Sequence, residues 1–307
     1  MGSTESVLVV MSVDITSQIG PIPIVVAGAL GRMGVEVIRA VSRASDCQLF
    51  GAVDTMAGKE GLDIGVELGF GEFEVVITSD FEGCLCQASQ AARHTSPEGN
   101  NAVLIDFTHP SVVYEHTRAA IAYGVHPVIG TTGLTPEQLE DLTDFADKAS
   151  VGGAIIPNFS IGVVLLQQAA AAAARFYSYA ELTELHHNQK VDAPSSTCIK
   201  TAELMEELGQ SFNSETLDEQ CFLEGCRGGK RTSGLRLHSL RLPGLVAHQE
   251  VMFGAPGETY TLRHDTVDRS SYMPGVLLTV RRVRQIRSLV YGLERLLYWS
   301  QAQASHT

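Results

Sequence analysis

The fold is decided by Val26-Ala27-Gly28-Ala29-Leu30-Gly31-Arg32-Met33-Gly34, where three glycines separate an apolar run from an amphipathic one. Residues 24–27 predict a short buried strand, and the apolar spacing over residues 32–45 predicts a helix. Glycines at such a turn let a pyrophosphate reach the backbone N–H groups at the start of the helix. The spacing is GxxGxxG and not GxGxxG, so a tight turn without a ligand is the alternative.

Asp54 supports a dinucleotide cofactor, because it ends the second predicted strand 20 residues after Gly34. An acidic side chain at this place meets the adenosine ribose. Asp54 favours NADH, whereas Arg32 and Lys59 offer positive charge for the 2′-phosphate of NADPH. NADPH and NADH are therefore both candidates. The predicted cofactor-binding residues of this region are Gly28, Gly31, Arg32, Met33, Gly34 and Asp54.

A second glycine turn, Gly130-Thr131-Thr132-Gly133, follows a strand predicted at residues 126–129. Ligands of open α/β sheets bind at the carboxyl ends of the strands. Gly130 and Thr132 are therefore candidates to hold the nicotinamide amide or a substrate carboxylate. An ordinary glycine-bounded turn is the alternative. The segment 106–110 ends a neighbouring predicted strand and is expected to line the same crevice.

Strands and helices alternate up to residue 157, which predicts an α/β fold with an N-terminal Rossmann domain, a doubly wound parallel sheet. The pattern then changes, and the second half predicts an α+β domain with an open mixed sheet. We expect a flexible extension at residues 1–21 and a dinucleotide-binding domain at 22–157, completed by 275–307. Residues 158–274 would form a second domain that binds substrate.

Three further expectations concern local structure in the second half. Pro243-Gly244 is typical of a type II turn and predicts a hairpin between strands at residues 236–242 and 246–253. The stretch 225–234 is rich in glycine and basic residues and predicts a mobile loop. Residues 276–297 predict one helix.

Composition narrows the class of protein. The chain has 307 residues and a formal net charge of −13, which argues against general affinity for nucleic acid or an anionic membrane. Its apolar runs are too short to span a bilayer. The six cysteines are too sparse for a disulfide scaffold and lack the spacing of a zinc site. We expect free thiols, a cytoplasmic location and no bound metal.

The stretch Glu184-Leu185-His186-His187-Asn188-Gln189-Lys190-Val191-Asp192-Ala193-Pro194-Ser195-Ser196-Thr197 predicts a site that binds a small dianion and gives it a proton. Lys190 offers a point positive charge, and a helix that starts at the three hydroxyl residues offers free N–H groups to a carboxylate. Adjacent histidines on an extended segment point to opposite sides, so His186 and His187 would have different roles. Histidine titrates near neutrality and can donate a proton. The alternatives are a structural histidine and simple helix capping.

These motifs resemble those of the 4-hydroxy-tetrahydrodipicolinate reductase (dihydrodipicolinate reductase) family, from residue 22 to the end of the last predicted helix. The glycine loop, Gly130-Thr131-Thr132-Gly133 and Pro157-Asn158-Phe159-Ser160 are similar to the family's cofactor motifs. The stretch 184–197 is similar to its signature, E-x-H-H-x-x-K-x-D-A-P-S-G-T. The resemblance implies NAD(P)H-dependent reduction of 4-hydroxy-tetrahydrodipicolinate to tetrahydrodipicolinate in the diaminopimelate route to lysine. It also implies a homotetramer, with hinge closure between the two domains.

The resemblance implies a role for each matching residue. His186 would donate the proton, and Lys190 would bind substrate and support protonation. The remaining substrate ligands would be His187, Ser195, Ser196 and Thr197. Asn158 and Phe159 would contact the nicotinamide side, together with Gly130 and Thr132.

Two positions depart from the family pattern. Ser196 stands where the signature has glycine, so its Cβ would narrow the carboxylate cradle or require a changed backbone angle. Thr55 stands where some members have an arginine for the 2′-phosphate. Two other classes of protein are the alternatives. One is a two-domain dehydrogenase that acts, for example, on an amino-acid semialdehyde; such an enzyme often carries a reactive cysteine or another base near the crevice, and Cys198 lacks an obvious activating role. The other is a nucleotide sensor without turnover.

Overall fold

The computed structural model describes residues 20–95, 102–207, 209–214 and 220–297. Within them the chain forms two units. The first contains the residues up to Ile155 together with Val283–Leu289, and the second contains Ile156–Arg282 and the residues from Val290 onward. Of the predicted N-terminal extension, residues 1–19 lie outside the described residues, as do residues 298–307 of the predicted completion of the first domain. The predicted domain limits therefore stay predictions.

The first unit is built on a seven-stranded sheet with the order β12-β6-β5-β4-β1-β2-β3. Its strands are β1 (Ile22–Ala27), β2 (Cys47–Val53), β3 (Ile77–Thr78), β4 (Val103–Asp106), β5 (His126–Ile129), β6 (Gly153–Ile155) and β12 (Leu289–Tyr291). Strands β1 to β6 pair in parallel. Strand β1 is buried along its whole length, as expected of a strand covered on both faces.

Helices connect these strands. They are α1 (Arg32–Val41), α2 (Ile64–Glu67), α3 (Phe81–Thr95), α4 (Val113–Ala122) and α5 (Pro136–Ala149). Helix α5 begins with a capping box, in which Thr135 Oγ1 accepts from the N–H of Gln138 while the Gln138 side chain accepts from the N–H of Thr135. The alternation leaves every carboxyl end of the parallel strands at one edge of the sheet, where the glycine loops lie.

The second unit contains a five-stranded mixed sheet with the order β11-β10-β7-β9-β8. Its strands are β7 (Tyr179–His186), β8 (Gly229–Lys230), β9 (Arg236–Arg241), β10 (Ala247–Ala255) and β11 (Glu258–Thr266). Its helices are α6 (Ile161–Ala173), α7 (Ser196–Glu206), α8 (Met273–Val283) and α9 (Glu294–Leu297). The central strand β7 alternates buried and half-buried residues, because one of its faces packs under α6 and α7. The predicted fold class, a Rossmann-type sheet followed by an α+β part with an open mixed sheet, is confirmed.

The predicted hairpin around Pro243-Gly244 is wrong. The two strands exist, but β7 lies between them: β9 pairs with β7 in parallel and β10 pairs with β7 in antiparallel fashion. Turn residues report only local geometry, whereas β7 offers two strand edges whose N–H and C=O groups both need partners. The stretch predicted as a mobile loop also contains structure, the edge strand β8.

The single helix predicted over residues 276–297 is wrong as well. The helix ends at Val283, and the chain then forms β12 beside β6. Gly152 and Gly153 explain this packing, since a Cβ on Gly152 would lie 2.2 Å from the backbone oxygens of Val283 and Ile286. The N–H of Gly153 donates to Ser288 O at 3.0 Å. Two glycines far away in sequence thus admit a strand where the local pattern predicts a helix. None of the described helices has the length and apolar character needed to cross a membrane.

Candidate active site

The first glycine loop is closely packed. Gly28 has a φ of +76°, and a Cβ there would lie 2.7 Å from Phe107 O. A Cβ on Gly34 would lie 2.1 Å from Gly28 O, so only glycine lets α1 approach the end of β1. The N–H groups of Gly28 and Ala29 both donate to Val53 O, which ties the loop to β2.

The start of α1 has the features of an anion site. Its N-cap is Gly31, which has no side chain to satisfy the N–H groups of the first turn. Gly31 and Arg32 are exposed and Met33 is half-buried. Free N–H groups, the helix dipole and a guanidinium together suit a pyrophosphate. The residues present therefore fit a dinucleotide.

The Asp54 carboxylate is held beside this loop. One oxygen accepts from the N–H of Leu30 at 2.8 Å, and the other accepts from the N–H of Met56 at 2.9 Å. Lys59, a candidate for the 2′-phosphate, forms an ion pair with Glu67 instead. Thr55 and Arg32 are exposed. In this region Arg32 is therefore the better placed of the two candidate cations.

The second glycine loop places its two threonines differently. Thr131 is buried, whereas Thr132 is exposed and Gly130 is half-buried. The N–H of Gly130 donates to Asp106 O at 2.9 Å, which joins the end of β5 to the end of β4. Gly130 and Thr132 are thus accessible at the carboxyl edge of the sheet, where a ligand of this fold binds.

In the second unit, the end of β7 carries a buried charged cluster. The Glu184 side chain is fully buried and accepts from Arg241 through two bonds, at 2.9 Å from Nη1 and 2.7 Å from Nη2. Its carboxylate also accepts a short hydrogen bond from His186 Nδ1. This contact keeps the proton on Nδ1 and leaves His186 Nε2 as the ring nitrogen that can face a ligand.

The cluster sets the protonation of both groups. Burial works to raise the pKa of Glu184, but hydrogen bonds from Arg241, Ser239 and His186 outweigh it and hold the pKa below the ordinary value. Burial lowers the pKa of His186 below its ordinary value, and the Glu184 carboxylate offsets only part of that effect. In the free protein His186 therefore gives up its proton more readily than an ordinary histidine.

Lys190 belongs to the same network. Its Nζ donates to both Asp192 oxygens, at 2.7 and 2.9 Å, and its side chain is only 21% exposed. Arg241 Nη2 also donates to Asp192 O at 2.8 Å, so one guanidinium holds β7 and the loop that carries Lys190. His186 is half-buried, whereas His187, just past the end of β7, is exposed.

The three hydroxyl residues lie at the start of α7. Ser195 is the N-cap, and its Oγ accepts from the N–H of Cys198 at 3.2 Å. Ser195 is buried, Ser196 is exposed and Thr197 is half-buried. Ser196 is not among the described residues with positive φ, so its Cβ requires no unusual backbone angle.

A cavity of about 420 Å³ in the second unit brings Asn158 together with Ser196 and Thr197. Asn158 Oδ1 accepts from the N–H of Ser160, while Phe159 is buried with its backbone oxygen close to Gly275. The predicted nicotinamide contact Asn158 and two predicted substrate ligands therefore line one space. Phe159 is not among the residues that line this cavity.

Cys198 is not a reactive thiol. It is fully buried in α7, and burial, reinforced by the charge of Glu184, raises its pKa to about 12. Cys198 therefore does not supply the reactive cysteine that a semialdehyde dehydrogenase often carries. Within the described ranges, no three His, Cys, Asp or Glu side chains are grouped so that they could hold a metal ion.

Two residues of the site were missed by the sequence analysis, Glu184 as a partner of His186 and Arg241 as a partner of Glu184. Glu184 stands two residues before His186 in a strand, a spacing that places both side chains on one face. That signal was available in the sequence. Nothing local indicates Arg241, which is 57 residues away along the chain.

The Rossmann-type sheet with its glycine loop, and the buried acid-base cluster, define an NAD(P)H-dependent oxidoreductase. Two family models described as dihydrodipicolinate reductase, N-terminus and C-terminus, match residues 22–159 and 162–297. The chain belongs to the dihydrodipicolinate reductase family.

Relatives and a solved structure agree with this assignment. The chain is 77% identical to a 4-hydroxy-tetrahydrodipicolinate reductase of Synechococcus sp. (strain CC9605), over 90% of this chain and 99% of that protein. It is 75% identical to the reductase of the same name from Prochlorococcus marinus (strain MIT 9313), over 90% and 97%. The structure of dipicolinate-bound dihydrodipicolinate reductase from Paenisporosarcina sp. TG-14 matches with a TM-score of 0.76 and 36% identity, over 90% and 99%.

Proposed function

We propose that this chain reduces 4-hydroxy-tetrahydrodipicolinate to tetrahydrodipicolinate with NADPH or NADH, in the diaminopimelate route to lysine. The buried contact between Glu184 and His186, beside Lys190, is the observation that carries the proposal. It supplies a proton donor of controlled tautomer next to cationic groups in a chain whose net charge is −13. A dianionic substrate needs such a local cluster of positive groups, because the negative charge of the whole chain repels it.

His186 donates the proton in this proposal. Glu184 fixes its Nδ1–H, so the transferred proton leaves from Nε2. A bound dianion favours the charged imidazolium, which raises the pKa of His186 when substrate arrives. Lys190 adds positive charge on the same side and stabilises the negative charge that develops as the ring is reduced.

The two carboxylates bind at Lys190, His187 and the start of α7. Ser196, Thr197 and the N–H groups of the first turn face one carboxylate, as a helix N-terminus suits an anion. Ser195 is buried and acts from beneath, where it holds the start of the helix in place. Lys190 and His187 take the second carboxylate.

The nicotinamide cofactor supplies the hydride. Gly28, Gly31, Arg32, Met33 and Gly34 would hold its pyrophosphate, and Asp54 would meet its adenosine ribose. Gly130 and Thr132, with Asn158 and the backbone of Phe159, would hold its nicotinamide end. The neighbouring hydrogen bonds fix Asp54 and Asn158 before any ligand arrives, which lowers the entropic cost of binding.

The proposal is tested by the oxidation of NADPH and of NADH, followed by absorbance, in a coupled assay that generates the unstable substrate in place. We expect oxidation that depends on substrate and on His186. Cofactor binding without any substrate-dependent oxidation would reject the activity and favour a nucleotide sensor.

We also propose the domain roles, the assembly and the location. Residues 22–157, with 275–307, bind the cofactor, and 158–274 bind substrate and form a homotetramer in the cytoplasm. Leu240 and Met252 are exposed on the five-stranded sheet, which supports its use as an interface between copies. The mass in solution, measured by light scattering, tests this: a monomer at working concentration would reject the tetramer.

A further inference from the structure

Asp106 is a buried carboxylate for which the proposed reaction has no direct use. It ends β4 and has no exposed surface. One of its oxygens accepts from the N–H and the Oγ1 of Thr108 and from Thr131 Oγ1, at 2.9, 2.7 and 2.9 Å. The other oxygen lies 2.8 Å from His116 Nδ1 on α4. A charge buried this deeply is tolerated because four donors surround it.

These bonds join two loops at the carboxyl edge of the sheet. Thr108 follows β4, and Thr131 follows β5. Thr131 is buried and donates to Asp106, whereas its neighbour Thr132 is exposed. One residue of the pair holds the loop, and the other is available to a ligand.

The surroundings make the anchor rigid. The Phe107 ring lies so close to Gly130 that a Cβ on this glycine would be 2.1 Å from the ring, and Phe107 O lies under Gly28. The His116 ring stacks on Phe81 with 3.9 Å between centroids. Both glycine loops and α4 are therefore connected to the segment that Asp106 begins.

We propose that Asp106, acting through Thr131 and supported by His116, is a positioning residue that sets the loop of Gly130 and Thr132 for the cofactor. The inference rests on the proposed function insofar as this loop binds a nicotinamide cofactor. Asp106 itself is buried and touches no ligand. A loop that has lost the anchor samples more conformations, so the affinity for cofactor falls while the proton donor in the second unit is unaffected.

The decisive variants change Thr131. Thr131→Val keeps the shape and removes the donor, and Thr131→Ser keeps the donor. We expect Thr131→Val to weaken NADPH and NADH binding about tenfold or more, measured directly by nucleotide fluorescence, because a hydrogen bond to a buried charge is lost. The KM for cofactor should rise by a similar factor with kcat at saturation changed less than about threefold, and Thr131→Ser should restore both.

Thr117→Val is the matched control. Thr117 is also buried and lies next to His116 on α4, but its Oγ1 donates to Val113 O of its own helix. We expect it to lower the thermal midpoint about as much as Thr131→Val and to leave cofactor affinity within about twofold. Asp106→Asn completes a double-mutant cycle with Thr131→Val. In a chain that already carries Asp106→Asn, we expect the added Thr131→Val to weaken cofactor binding by less than about twofold.

Three results would overturn the inference: Thr131→Val binds cofactor as the parent does, Thr131→Ser fails to restore affinity, or Thr117→Val weakens binding equally. If Asp106→Asn does not fold, the Thr131 pair decides alone. Direct binding does not depend on turnover. A parent chain that binds cofactor but oxidises none would thus reject the proposed function, while the Thr131 variants would still test Asp106.

Discussion

Strand β7 carries two clusters with the same chemistry on its opposite faces. Glu184 binds Arg241 and His186, and three residues earlier Glu181 binds Arg227 and His238. Because side chains of a strand alternate, an odd spacing places the two glutamates on different faces. Each carboxylate accepts two bonds from a guanidinium and one from an imidazole.

Burial distinguishes the two clusters. The Glu184 side chain has no exposure, whereas that of Glu181 is 32% exposed. Burial opposes the charge of both glutamates, and in both the arginine and histidine bonds still lower the pKa. The attraction between Glu184 and its two partners is weakly screened because it acts in the protein interior, whereas water screens the cluster of Glu181. The comparison teaches that an acid-base triad becomes an active-site candidate through its surroundings and not through its residue types.

The two clusters should differ most when their histidines, His186 and His238, are replaced and kcat/KM is measured. His186→Ala should lower kcat/KM by roughly 10² to 10⁴, the range for loss of a general acid. His238→Ala should stay within about twofold of the parent, because His238 lies on the other face. Steady-state cofactor oxidation measures both, and equal losses would show that the triads are not functionally distinct.

The glutamates should differ in stability. Glu184→Gln leaves the half-buried Arg241 charged and poorly paired against a fully buried amide, so we expect a loss of about 3 kcal/mol in the free energy of unfolding. Glu181→Gln breaks a partly exposed pair and should cost less than about 1 kcal/mol. Urea denaturation of both variants measures the difference. A Glu184→Gln chain as stable as Glu181→Gln would contradict the role given to burial.

The pH profile should follow the buried histidine. Since burial holds the pKa of His186 below 6.5 in the free protein, kcat/KM should fall with rising pH through an apparent pKa below that value. Bound dianion raises the pKa, so the same limb in kcat should lie at higher pH. Glu184→Gln removes the carboxylate that favours the imidazolium and should move the kcat/KM limb further toward acid. A limb at the same pH in that variant would rule out His186 as its origin.

His186 should also make the free energy of unfolding depend on pH. With its folded pKa lowered, His186 favours the folded state above the unfolded value near 6.5, and that contribution is lost as pH falls through the window below it. His186→Gln should flatten this part of the stability profile.

The smallest expected difference is between substitutions of Ser195 and Ser196 at the start of α7. Ser195→Ala removes a buried cap and should cost about 1 kcal/mol of stability and raise the KM for substrate. Ser196→Gly restores the residue usual in the family at an exposed position with ordinary φ. We expect it to change the substrate KM by less than about threefold. A gain of tenfold would mean that the Ser196 Cβ does narrow the cradle.

Much of the site could be predicted because its signals are local. A glycine loop between a strand and a helix, Asp54 at the end of the next strand, and Ser195 before a helix each depend on a few consecutive residues. The failures were non-local: the hairpin at Pro243-Gly244 and the final helix both depended on partners distant in sequence.

The sequence by itself determined the glycine loop between β1 and α1, the capped starts of α5 and α7, and the chemically active stretch, because caps, glycines and apolar spacing act over a few residues. Only the tertiary structure decided that β7 separates β9 from β10, that Arg241 neutralises Glu184, and that Asp106 anchors Thr131. The physical reason is desolvation. A carboxylate that is removed from water needs hydrogen-bond donors, and the fold supplies them from residues that are far away along the sequence. A pattern of a few consecutive residues therefore cannot predict which residues these donors are.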